Sequence, residues 1–181
     1  MKQLLSLVAI SGLMALATAA FATGVSTTAT SSFNTDVNEM AVLNITSGAG
    51  NLVLAAPSTG GAAIAAVSDS ATYAQYTSVI ATGKTRILDA KITTGSIPAG
   101  TTLKLTAGVP GGTGNVGTKA SQVTLTSTAA SIVTGIGSCN TGTGATDGVN
   151  LGYQLSVSDI SSVVLTSSNS ITLTFTLNDG A

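Results

Sequence analysis

The chain has 181 residues, of which only 7% are charged, with a net charge of −1 and neither His nor Trp. A soluble domain usually carries about 25% charged residues. So little positive charge gives nucleic acid or anionic lipid nothing to hold. The lack of His removes the usual catalytic triad and the usual zinc sites. The surface must be built largely from Thr, Ser, Gly and Asn, which leaves little charge repulsion to keep copies apart.

In chain order, the first element is MKQLLSLVAISGLMALATAAFA. One Lys at position 2, an uncharged run from Leu4 to Ala17 and the small-x-small ending Ala20-Phe21-Ala22 predict a signal peptide (residues 1–22), cleaved after Ala22. The run is short for a membrane span and no basic stop-transfer cluster follows it. Export to the cell surface or the medium is therefore expected, without a membrane span. Removing this segment takes Lys2 with it and leaves a net charge near −2.

Residues 23–38, TGVSTTATSSFNTDVN, form a leader with weak alternation and little apolar mass, read as flexible or as an edge strand. Insertion of this leader into a neighbouring subunit is the functional alternative. Its large apolar residues are few, Val25 and Phe33 among them, which makes it a poor inserted strand.

Residues 39–181 are read as one domain of about eight to ten short strands. MAVLNIT (40–46) and NLVLAA (51–56) come first. The Gly/Ala-rich STGGAAIAAVS that follows holds the one weak helix candidate, AAIAAV. ATYAQYTSVIAT and KTRILDAKITT, split by Gly83, are expected to pair. SIPAG is a turn set by Pro98 and Gly100, and TTLKLTAG alternates Leu103 and Leu105 with Lys104 and Thr106. After the loop GVPGGTGNVGTK come SQVTLTS and ASIVTGI. The loop GSCNTGTGATDGVN leads into LGYQLSVS. SSVVLTS and ITLTFTLND close the chain, joined by a hairpin turn at 167–170. Thr, Val and Ile dominate these runs. The expected fold is all-β, a single Ig-like, Greek-key type β-sandwich.

Residues that carry chemistry are few. Ser138-Cys139 has no imidazole or nearby Lys to activate it. Cys139, the one cysteine, reads as a small buried apolar side chain, with an intermolecular bridge as the alternative. A glycosidic carboxylate pair would have to join Glu39 to one of Asp36, Asp69, Asp89, Asp147, Asp159 or Asp179, with no Trp platform for a sugar. Two oxygen-rich groups, Asn34/Asp36/Asn38/Glu39 and Asn140/Asp147/Asn150, could suit calcium. They lack the dense carboxylate spacing of a calcium loop, and Asn and Asp are ordinary turn residues. Tyr73 and Tyr76 are an odd number of positions apart, so one should face the core. Tyr153 is expected in the core with its hydroxyl bonded. No catalytic, cofactor-binding or metal site is assigned, and no cofactor is expected.

YTSVIATGKTRILDAKITTGSIPAGTTLKLTA (76–107) and VTGIGSCNTGTGATDGVNLGYQLSV (133–157) resemble segments of small, signal-peptide-bearing, β-rich proteins of environmental bacteria. The VTGIGSC-TGTG block carries most of this resemblance, which implies no activity. The threonine-rich C-terminus is more distantly similar to fimbrial subunits and other bacterial surface sandwich domains. That similarity implies a subunit that assembles outside the cell, although the paired cysteines of many fimbrial subunits are missing here.

The function expected is that of an exported, non-enzymatic structural protein of a fimbria-, sheath- or matrix-like assembly. Its partners would be itself or other surface subunits. The alternative is a secreted monomer that binds carbohydrate or a calcium-bridged ligand through its two glycine-rich loops.

Overall fold

The computed structural model describes residues 28–46, 50–167 and 169–180. The expected signal peptide, its cleavage point and the start of the leader lie outside these residues. The chain divides into two units, Met1–Asp36 and Val37–Ala181. In the first, every described residue is exposed and none lies in a strand.

The second unit is an antiparallel β-sandwich. One sheet is built around β2 (Val67–Val79), a strand long enough to serve several partners. β1 (Met40–Ile45) covers one edge of its second half, from Met40↔Val79 to Ile45↔Ala74. On the other edge, β10 (Val149–Val157) covers the first half and β9 (Cys139–Asn140) two residues near the end. β4 (Thr101–Ala107) follows β10, and β7 (Val123–Thr124) follows β4. β5 (Thr113–Gly114) extends the sheet beyond β9. The second sheet runs β11 (Thr172–Asp179), β3 (Arg86–Thr94), β8 (Ala130–Ile136), β6 (Thr118–Lys119). From β2 onward the long strands pass from sheet to sheet, giving Greek-key type connections rather than a meander.

Period-two alternation places the core. Leu103, Leu105 and Ala107 of β4 and Val149, Leu151 and Tyr153 of β10 point inward from the first sheet. Leu88, Ala90 and Ile92 of β3, with Ile132, Val133 and Ile136 of β8, meet them from the second. Leu125, which follows β7, is also fully buried. Each such large side chain contributes about 1.5–3 kcal/mol when removed from water.

Several local expectations are corrected. ATYAQYTSVIAT and KTRILDAKITT form β2 and β3 but do not pair with each other, because β2 already has neighbours on both edges. Gly83, with φ of 78°, turns the chain instead into the opposite sheet, closed by Lys84 N donating to Ala81 O at 3.0 Å. NLVLAA is not a strand and SQVTLTS keeps only the two residues of β7, while AAIAAV, too short and too flanked by Gly to be expected as a helix, is not one.

SSVVLTS forms no hairpin with the last strand either. The Asp159 carboxylate accepts hydrogen bonds from Ser161 N and from both the Ser161 and Ser162 hydroxyls, tightening Ile160–Ser162 into a 3-10 turn. Local side-chain capping thus competes successfully with strand pairing. β11 pairs with β3 over its whole length, so the closing strand does join its own sheet, at an edge.

Burial differs sharply between core and rim, and substitution should report it. Leu105→Ala is expected to cost about 2–5 kcal/mol in urea unfolding. Leu165→Ala, where the side chain is 100% exposed, is expected to change stability by less than about 0.5 kcal/mol.

Candidate functional site

Among the described residues β1 pairs with β2 alone and β11 with β3 alone, so each leaves an edge of its sheet free. Arg86, only 7% exposed, joins them at one point. Its guanidinium donates to the Glu39 carboxylate, just before β1, and to the Asp179 carboxylate at the end of β11. Arg86 faces Asp179 directly in the β3–β11 register, so the second pair is a cross-strand contact. A forked, permanently charged group suits holding two carboxylates at once.

Away from this clamp lies an open apolar cleft of about 1250 Å³. Leu43 and Ile45 of β1 line one side, Leu173 and Phe175 of β11 the other, with Leu103 and Leu155 deeper in. None of the β11 side chains is fully buried. The coil stretches Asn51–Leu54 and Val163–Thr166 also line the cleft. These belong to NLVLAA and SSVVLTS, the two strand-like sequences that found no partner strand. Among the lining residues Asp69 alone carries charge.

Asp69, Thr72 and Tyr153 are among the polar residues that line the cleft. Tyr153 is a core residue as expected, and its phenol is pushed up to about 12, first by burial and then by the Asp69 charge, with Thr72 opposing. Tyr76 is the inward-facing member of the first tyrosine pair. Its hydroxyl donates to Val116 O at 2.6 Å, and burial together with neighbouring Cys139 raises its pKa.

A second concavity, of about 560 Å³, brings together the two glycine-rich loops. Gly108 N donates to Asn150 O at 2.7 Å and Gly111 N to Gly148 O at 3.1 Å, stitching loop to loop. Gly148 has φ of 93°, and a Cβ there would overlap the Ala74 carbonyl oxygen, so the close approach requires glycine. Tyr73, half-buried, lines this hollow with Asn140, Asp147 and Asn150.

The second oxygen-rich group of the sequence is therefore assembled, but its members are partly committed. Asp147 Oδ2 accepts from Gly144 N at 2.7 Å, and Asn150 Nδ2 donates to Ser70 O at 2.6 Å. Of the first group, Asn34, Asp36 and Asn38 are each exposed, and Glu39 engages Arg86. Among the described residues, no three Asp, Glu or Cys side chains gather as a metal-holding group.

The other carboxylates are engaged structurally. Asp89 accepts from Ser131 Oγ at 2.7 Å and Asn178 Nδ2 at 2.9 Å, while Asp159 caps its turn. Cys139 is 8% exposed, and burial raises its thiol pKa, partly offset by the Ser78 backbone hydrogen bond. It packs as a small apolar core group. Comparison of the chain with protein-family models, curated proteins and solved structures gives no match.

The buried phenols make stability fall in alkali. A phenol near 10 in the unfolded chain and near 12 in the fold binds its proton more tightly when folded. Its contribution is complete below pH 10 and is lost as pH rises through 12, at up to about 1.4 kcal/mol per pH unit for each group. Urea midpoints measured from pH 9 to 12 should decline, and Tyr153→Phe should flatten that decline.

Proposed function

We propose that this chain is an exported, non-enzymatic structural subunit of a bacterial extracellular assembly or surface, fimbria-, sheath- or matrix-like, that associates with other copies or with related subunits. The observation that carries this reading is the open apolar seam between the free edges of β1 and β11. An edge offers a row of backbone donors and acceptors, and natural sheets commonly block such rows with charge. Here Asp179 and Glu39 are drawn to Arg86 at one end of the seam, and the rest of its lining is almost uncharged. The signal-peptide pattern of residues 1–22 supports action outside the cytoplasm.

A second reading has its own support. The concavity at Tyr73 presents an aromatic ring, amide side chains and glycine backbone together, groups suited to hydrogen-bonding and stacking on a neutral sugar. A secreted binding module for carbohydrate, or for a calcium-bridged ligand, would use this hollow and would need no self-association.

The two readings part in one experiment on the chain lacking residues 1–22. Light scattering over a concentration range, with electron microscopy of the same samples, should show oligomers or filaments that grow with concentration. A monomer at every concentration, with a glycan or calcium raising the unfolding temperature as binding to the folded state requires, would replace the structural reading with the binding one.

A further inference from the structure

The seam carries a projection as well as a hollow. Val163–Thr166 lies at the cleft, with Val164 60% and Leu165 100% exposed. A fully exposed leucine beside an open apolar cleft places an apolar knob and an apolar socket on the same face. We propose that a second copy of this chain docks reciprocally on this face, the Val164–Leu165 knob of each copy entering the other's cleft between β1 and β11. The inference rests on the self-association reading above and assigns its surface and symmetry.

Three observations favour a second copy as occupant. Knob and socket are adjacent on one face, so a single two-fold axis satisfies both at once, as an isologous interface requires. The cleft lining brings one charged residue per copy, Asp69, so two identical clefts meet with little repulsion. The knob also belongs to SSVVLTS and the facing rim to NLVLAA, both with strand-type patterns and neither in a strand. Edges of β1 and β11 lie beside them, so docking would supply these segments with strand partners that they do not have among the described residues. Burial of Phe175, Leu173 and Val53 would then complete a core that one copy leaves half-open.

The test is sedimentation velocity on the chain lacking residues 1–22, comparing it with Leu165→Asp, with Ser127→Asp as an exposed charge control, and with a form lacking residues 23–36. Leu165 makes no buried contact in the single chain, so at concentrations too low for dimerisation Leu165→Asp should keep the parent's urea midpoint. The parent should form a dimer, and Leu165→Asp should weaken it by roughly tenfold per docked leucine, about a hundredfold for the pair. The Ser127→Asp and leader-deleted forms should dimerise like the parent. Mixing Leu165→Cys chains with Leu173→Cys chains under mild oxidation should give mixed disulfide dimers in excess of like-with-like ones.

Association unchanged by Leu165→Asp, or lost with residues 23–36 instead, would overturn reciprocal docking and leave the self-association reading standing. A chain that stays monomeric throughout would overturn both.

Discussion

Everything in this sandwich depends on two sheets burying alternate side chains against each other with almost no charge to assist. Leu88, Ile132 and Ile136 on one side and Leu105, Val149 and Leu151 on the other are removed from water. The positions that alternate with them, such as Asp89, Lys91, Lys104, Thr106 and Asn150, are less buried and face outward. Since only 7% of the residues are charged, the fold gains little from surface ion pairs, which are individually weak in any case. Burial therefore concentrates in β2, β3, β4, β8 and β10, and falls away toward β1 and β11.

That gradient explains where a functional surface can sit. β11 is held along its whole length by β3, yet none of its side chains is fully buried. β1 is held by β2 in the same one-sided way. Arg86 ties the two edges together at one point, and elsewhere the half-buried Leu43, Ile45, Leu173 and Phe175 line a hollow. A buried guanidinium with two partners specifies which ends meet more than it adds net stability, because desolvating the charge offsets much of the attraction.

Much of the architecture was legible in the sequence because alternation is local. TTLKLTA, LGYQLSV and ITLTFTL read as strands and are strands. Pairing was not legible, since it depends on which edges remain free after other strands have docked. KTRILDAKITT was expected beside ATYAQYTSVIAT and lies instead in the opposite sheet. The apolar pattern of SSVVLTS was real, but Asp159 drew its two leading serines into a turn and left Val163–Thr166 as coil. The site was harder still. Arg86 gave no signal, because its partners Glu39 and Asp179 lie 47 and 93 positions away. The meeting of the two glycine-rich loops likewise needed β9 and β10 to be seated on β2, although both loops stood out by composition.

The Arg86 clamp also sets how this domain would carry mechanical load. It gathers the start of β1 and the end of β11 onto the first residue of β3, so a pull applied through Glu39 and Asp179 meets the ion pairs before any strand. Once they part, β11 is loaded from its end and its hydrogen bonds to β3 yield one after another, as in a zipper. Shear, which would engage the whole ladder at once, is not the direction these anchor points provide. A tether fixed at these two ends would yield early and lengthen under tension, while the core of β3, β4, β8 and β10 stayed folded.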